Sequence, residues 1–181
     1  MNVGQIKLVA MDIDGVLTDG SIIIGSNGFE AKSFNARDGL GLNILLKLGY
    51  EVLWITGRNS DIVVQRAKEI KIKHLRQGVV NKVQAIEELL TELNMNWENV
   101  LYIGDDLNDL LPLKKAAFAC TVSNAGPEVK QVSDYITKAP GGAGAVREII
   151  ELFLKNEKRW PDALKLYLNP AREANSKGDV Q

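Results

Sequence analysis

Short apolar blocks recur along the chain, and the spacing inside them switches between that of strands and that of helices. The run Ile6-Lys7-Leu8-Val9-Ala10 opens a strand over 6–12 that reads as buried on both faces. Residues 22–34 break the pattern. Ile22-Ile23-Ile24, a Gly25-Ser26-Asn27-Gly28 turn and Phe29-Glu30-Ala31-Lys32-Ser33-Phe34 read as a β-hairpin, because Asn27-Gly28 tolerates positive φ at both positions. From residue 38 the period lengthens, and Leu40, Ile44, Leu45 and Leu48 share one side of a helix over 38–48.

The second core strand runs over 50–55 and ends at Thr56-Gly57-Arg58. Ser60 is placed to cap a helix over 60–71, and residues 74–77 form a short third strand. Asn81 caps a helix whose stripe is Val83, Ile86, Leu89, Leu90 and Leu93. Residues 100–103 are the fourth strand, ending at Gly104-Asp105-Asp106, and Asn108 and Asp109 open another helix. Strands over 118–122 and 135–137 follow. Gly141-Gly142-Ala143-Gly144 reads as a flexible link into a helix carrying Val146, Ile149, Ile150, Phe153 and Leu154. After a polar break at 155–158, residues 161–168 fit one short helix, and the small polar residues from Asn169 onward predict disorder.

This alternation predicts an α/β fold: a mostly parallel sheet, helices on both faces and right-handed crossovers. Residues 1–155 read as one domain that includes the hairpin at 22–34, and residues 156–181 as a C-terminal tail. A lone two-stranded ribbon is marginal in water, so the isoleucine hairpin needs a cover. Its own domain could supply one; another subunit is the sharper expectation.

Composition narrows the partners. The 181 residues suit one sizeable core, and a net charge of −1 argues against a nucleic-acid or membrane-surface partner. Any anion site must then be built locally. The single Cys120 allows no disulfide within the chain, and no apolar run is long enough to span a bilayer. A soluble, cytoplasmic protein is expected.

Chemistry concentrates at strand ends. Asp12 and Asp14 follow the first strand, Thr56 the second, and Asp105, Asp106 and Asp109 the fourth, while Lys82 starts a helix. In a parallel sheet these ends meet at one edge. Crowded carboxylates repel, and a divalent cation removes the conflict; hard oxygen donors with no His or Cys nearby favour Mg²⁺. The Thr56 hydroxyl, the Gly57 backbone N–H and the Lys82 ammonium add a cradle for a phosphoryl group. Asp12, fixed at the strand tip, is the better nucleophile, and Asp14 the better mobile acid and base.

The strings Asp12-Ile13-Asp14-Gly15-Val16-Leu17-Thr18-Asp19, Thr56-Gly57-Arg58, Lys82 and Gly104-Asp105-Asp106-Leu107-Asn108-Asp109 resemble the four motifs of the haloacid dehalogenase (HAD) superfamily. The resemblance implies a Rossmann-like, three-layer HAD fold and Mg²⁺-dependent phosphotransfer. It implies Asp12 as nucleophile, Asp14 as acid and base, and Thr56 and Lys82 on the phosphoryl group. The metal would sit on Asp12, the Asp14 backbone carbonyl and Asp105, with Asp106 and Asp109 as supporting acids.

The stretch between Asp14 and the helix near Asp38 is too short for a cap domain, so the match is to the capless group. Phe34-Asn35-Ala36-Arg37-Asp38-Gly39, Gln77-Gly78 and Gly141-Gly142-Ala143-Gly144-Ala145-Val146-Arg147-Glu148 are similar to the phosphatases of 3-deoxy-D-manno-octulosonate 8-phosphate, which serve lipopolysaccharide sugar synthesis. That likeness implies a small sugar-acid phosphate as substrate, with Arg58 and Arg37 near its carboxylate and Arg147 in the same pattern. It also implies a homotetramer joined through the hairpin, with neighbours completing each site.

Blander roles stand beside these. Arg58 could be a solvated charge at a helix start, Arg37 could only pair with Asp38, and Arg147 could be an exposed helix residue. His74 and Trp54 read as structural, and Trp97 and Trp160 as loop or interface aromatics. The competing functions are a nine-carbon sugar-acid or broad sugar-phosphate phosphatase, and a non-catalytic oligomerisation module.

Overall fold

The computed structural model describes residues 5–168. Its centre is β1 (Leu8–Met11), whose four side chains are all buried. β1 pairs in parallel with β4 (Glu51–Ile55) on one side and β6 (Val100–Gly104) on the other. Beyond β4 lies β5 (His74–Arg76), and beyond β6 lie β7 (Phe118–Thr121) and β8 (Tyr135–Ile136), giving the order β5-β4-β1-β6-β7-β8. The chain builds outward from β1 in one direction, returns, and builds outward in the other. That reversal leaves a crevice beyond the carboxyl ends of β1 and β6, where doubly wound sheets bind their ligands.

Period-two alternation sorts the strand side chains into two apolar layers. Val9, Met11, Trp54, Leu101 and Ile103 face one way and meet α1 (Ala36–Lys47), α2 (Asp61–Ile70) and α6 (Ala145–Asn156). Leu8, Ala10, Leu53, Ile55 and Tyr102 face the other way, against α3 (Lys82–Glu92), α4 (Leu110–Lys115) and α5 (Pro127–Gln131). The result is the expected three-layer sandwich. No helix among the described residues is long and apolar enough to cross a membrane.

Several local expectations shift. The first helix begins at Ala36, because the Asn35 side chain accepts the Arg37 N–H and caps it there. Its buried face is Leu42, Ile44 and Leu45, while Leu40 points outward at 43% exposure. Helix α5 was not expected; its signal is Gly126-Pro127, with proline at the first helical position. The glycine run at 141–144 is not a loose link. Gly142 N–H donates to the Val16 carbonyl at 3.0 Å, and a Cβ on Gly141 would lie 1.7 Å from the Gly15 oxygen.

The hairpin forms as expected but is short. β2 (Ile23–Ile24) pairs with β3 (Glu30–Ala31) across a turn with positive φ at Asn27 and Gly28. Its outer side chains Ile22, Ile23, Ile24 and Phe29 are each half exposed or more. At the other end, α7 (Trp160–Leu168) docks Ala163 into the core, and Arg159 donates to the Leu48 carbonyl at 3.0 Å. The disorder expected from Asn169 onward lies outside the described residues.

Trp54 is the largest fully buried side chain and stacks on Phe34, 6.4 Å between ring centres. Trp54→Ala is expected to cost about 3–5 kcal/mol of stability, read from the midpoint of urea unfolding.

Candidate active site

Asp12 leaves β1 with its N–H on the Ile103 carbonyl of β6, so the edge of one strand fixes the acid on the next. Its Oδ1 accepts the Ile13 N–H at 2.7 Å, and its Oδ2 lies 2.8 Å from the Lys82 ammonium. The chain then folds back tightly. Leu17 and Thr18 both donate to the Ile13 carbonyl, and Gly15 takes a positive φ of 91°. A Cβ on Gly15 would stand 2.0 Å from Asp105 Oδ2, so only glycine lets the two loops touch.

Lys82 enters from α3, whose start is set by the Asn81 side chain accepting the Gln84 N–H. Its ammonium is buried between Asp12 Oδ2 and Asp109 Oδ1, at 2.8 and 2.7 Å. Burial alone would lower its pKa; the Asp109 and Asp12 charges outweigh it and hold the lysine above its ordinary value.

Asp109 is fully buried and fully used. Its Oδ1 accepts from Lys82 and, at 2.6 Å, from the Tyr102 hydroxyl; its Oδ2 accepts the N–H groups of Asp105 and Asp106. Burial and the Asp109 charge push the Tyr102 phenol well up, so it remains a donor. The loop after β6 is thus wound around one carboxylate. Gly104 permits it, since a Cβ there would meet Asp109 Cβ at 2.4 Å.

The crevice at this edge is a cavity of about 260 Å³ lined by Asp12, Asp14, Gly20, Thr56, Gly57, Arg58, Asp105, Asp106 and Asn108. Thr56 is buried at the end of β4, with its hydroxyl oxygen accepting the Arg58 N–H at 3.2 Å. Asp106 accepts the Leu107 N–H at 2.7 Å and caps the turn beyond. The sequence-predicted residues from four strand and helix ends therefore do converge.

Arg37 and Arg147 do not join them. Arg37 is exposed and lies outside the cavity lining. Arg147 pairs through Nε with Glu151 at 2.8 Å and lies over the Trp160 ring. The Arg37–Asp38 ion pair weighed from the sequence does not form. Asp38 is buried and its Oδ1 accepts the Arg147 N–H at 2.7 Å, so it caps α6, whose own cap residue Gly144 has no side chain. Burial raises the Asp38 pKa against the pull of that bond.

Sequence reasoning also missed Lys32. Its ammonium, buried beneath the hairpin, pairs with Asp14 Oδ1. A lysine in a polar hairpin strand carries no signal of burial, so only the fold could place it.

Carboxylate oxygens of Asp12, Asp105 and Asp109 lie within 4.8 Å of one another. Burial and the Asp109 charge raise Asp12 to about 6 and Asp105 to about 7. Three acids face one lysine, so full ionisation leaves two negative charges in excess. Asp105 Oδ1 is buried with no hydrogen-bond partner. A divalent cation fits this set: it takes hard oxygen donors, balances the excess and satisfies the orphaned oxygen. Asp12 and Asp105 are the residues that can hold it, because each oxygen of Asp109 already takes two protein donors, whereas each oxygen of Asp12 takes one and Asp105 Oδ1 takes none.

Comparison with known proteins fits this geometry. The family model described as haloacid dehalogenase-like hydrolase matches residues 55–150. The Escherichia coli K12 protein named 3-deoxy-D-manno-octulosonate 8-phosphate phosphatase KdsC is 42% identical over 159 residues, covering 88% of this chain and 85% of the relative. The chain belongs to the haloacid dehalogenase-like hydrolase family.

The Moraxella catarrhalis 3-deoxy-D-manno-octulosonate 8-phosphate phosphatase, in complex with magnesium, phosphate and KDO, superposes with a TM-score of 0.88 at 44% identity, over 91% of this chain and 95% of the other. The cobalt-bound form of the Haemophilus influenzae deoxy-D-mannose-octulosonate 8-phosphate phosphatase gives a TM-score of 0.82 at 35% identity, over 86% of this chain and 91% of the other.

The raised carboxylates make a pH prediction. Without a cation the folded protein holds protons on Asp12 and Asp105 that the unfolded chain releases near pH 4. Their contribution to stability is present below about pH 4 and is lost as pH rises through 6 to 7. Mg²⁺ replaces those protons, so it should raise Tm more at pH 8 than at pH 5, as read by thermal denaturation with and without the ion.

Proposed function

We propose that this chain is a Mg²⁺-dependent phosphatase that hydrolyses 3-deoxy-D-manno-octulosonate 8-phosphate to the free sugar acid and phosphate, in lipopolysaccharide sugar biosynthesis. The observation that carries the reading is the set Asp12, Asp14, Thr56, Lys82 and Asp105 meeting at one sheet edge. The similarity to phosphatases named for this compound supports the substrate.

In the mechanism we infer, Asp12, held by β1 and the Ile13 N–H, attacks phosphorus. The bond from phosphorus to the sugar oxygen breaks, and Asp14 gives that oxygen its proton. Asp14 then takes a proton from water as the water attacks the aspartyl-phosphate, which returns Asp12 and releases phosphate. Lys82 offsets the charge beside Asp12, while the Thr56 hydroxyl and Gly57 N–H hold phosphoryl oxygens. Mg²⁺, on Asp12, the Asp14 backbone carbonyl and Asp105, would supply electrostatic stabilisation of the phosphoryl group. Asp109 and Asp106 shape the loop that presents Asp105.

Arg58 lines the cavity, and its planar guanidinium suits the sugar carboxylate. Arg37 and Arg147 lie outside the cavity, so we assign the carboxylate to Arg58 alone within one subunit. Exposure of Ile22, Ile23, Ile24 and Phe29 supports burial of the hairpin against another subunit, and we read the assembly as a homotetramer. We read residues 1–155 as the phosphatase unit, onto which α7 packs through Ala163, and the compartment as the cytoplasm, consistent with a single buried thiol at Cys120.

A panel of phosphate esters assayed with and without Mg²⁺ tests the reading. The eight-carbon ester should give the highest kcat/KM, and Asp12→Asn should abolish turnover while the protein stays folded. No Mg²⁺-dependent release from any sugar-acid phosphate would refute the function. Arg58→Glu should lower kcat/KM for the eight-carbon ester by about tenfold or more, which is about 1.4 kcal/mol of lost transition-state binding. An unchanged ratio between eight- and nine-carbon esters would remove Arg58 from substrate recognition.

A further inference from the structure

Lys32 stands just beyond β3, on the inner face of the hairpin, with its side chain only 1% exposed. A buried ammonium must be paired, and two carboxylates lie within reach among the described residues. Asp14 Oδ1 makes the close ion pair, while Glu30 Oε1 is at 3.8 Å. Glu30 is itself held elsewhere: its Oε2 accepts the Ser60 hydroxyl at 2.9 Å, and the Ser60 N–H donates to Gln77 Oε1 at 2.9 Å. One polar chain therefore runs from Asp14 through the hairpin to the start of α2 and the loop after β5.

Asp14 needs such a partner more than Asp12 does. Asp12 is fixed by its strand, by the Ile13 N–H and by Lys82. Asp14 follows in the loop that turns at Gly15, and Lys32 is the group that holds its carboxylate. Lys32 does not line the cavity, whereas Asp14 does. The contact engages Oδ1 and leaves Oδ2 for the reacting oxygen. An acid that must meet first a leaving oxygen and then a water gains from being held in one orientation.

We propose that Lys32 is a positioning residue that orients Asp14 for proton transfer, making the hairpin part of the catalytic apparatus; this rests on the phosphatase reading above. The hairpin's alternate residues then divide the work. Phe29 faces outward, while Glu30 turns to Ser60 and Lys32 to Asp14.

The test measures kcat and KM for wild type, Lys32→Met, Asp14→Asn and the double variant, with Mg²⁺, on the ester that the wild type turns over best. Lys32→Met should lower kcat by about tenfold or more with KM within about twofold, because it disturbs acid–base catalysis and not binding. In the Asp14→Asn background the same change should alter kcat by less than about twofold, since the group it acts through is gone. Unchanged kcat in a cooperatively melting Lys32→Met protein would overturn the proposal. So would an equal loss in both backgrounds, which would leave Lys32 a purely structural role. If Lys32→Met does not melt cooperatively, Lys32→Gln is judged by the same two comparisons. Preference of the wild type for another ester would refute the substrate reading alone and leave this comparison intact.

Discussion

The ammonium of Lys82 is removed from water, and the sheet edge is arranged around that fact. A buried charge is tolerable only when opposite charge and hydrogen bonds surround it. Asp12 and Asp109 supply the charge from β1 and from the loop after β6, the two neighbours at the reversal of strand order. Asp109 then recruits Tyr102 and two backbone N–H groups, which shapes the loop carrying Asp105. The acid added last has no cation of its own. The same packing that holds the site together thus leaves it short of positive charge, and a divalent ion completes it.

Close approach of three backbone segments makes this possible. Gly15 lies against Asp105, Gly104 against Asp109, and Gly141 against Gly15. A methyl group would overlap an atom of the neighbouring loop at Gly15 and Gly141, and the Asp109 side chain of its own loop at Gly104. The glycine run before α6 therefore works as a wedge that pins the loop after β1, and Asp38 of α1 fastens the start of α6 behind it. Rigid elements hold the side chains to which we assign the phosphoryl group, which suits a reaction that depends on positioning more than on motion.

The hairpin serves two surfaces at once. Its inner residues Glu30 and Lys32 join the polar network beneath Asp14, and its outer isoleucines face away from the domain. A two-residue ladder has little stability of its own. In the roles we propose for it, a cover on the outer face would also steady the inner one.

Much of this was legible in the sequence. Apolar periodicity located every strand of the main sheet, and Asn27-Gly28 located the hairpin turn. Because parallel strands end at one edge, strand order alone brings Asp12, Thr56 and Asp105 together. Tertiary structure decided what depends on distance between remote segments. The burial of Lys32, the capping of α6 by Asp38 and the seating of Gly141 on Gly15 each join residues far apart in the chain. Arg37 and Arg147 show the converse. The family resemblance put them beside Arg58, and the packing of α1 and α6 turned one to solvent and the other to Glu151. Local patterning sets which elements form, because it depends on neighbours three or four residues away. Which side chain is buried, paired or left to bind a ligand is set only when those elements pack, because desolvation and charge pairing depend on the whole surroundings.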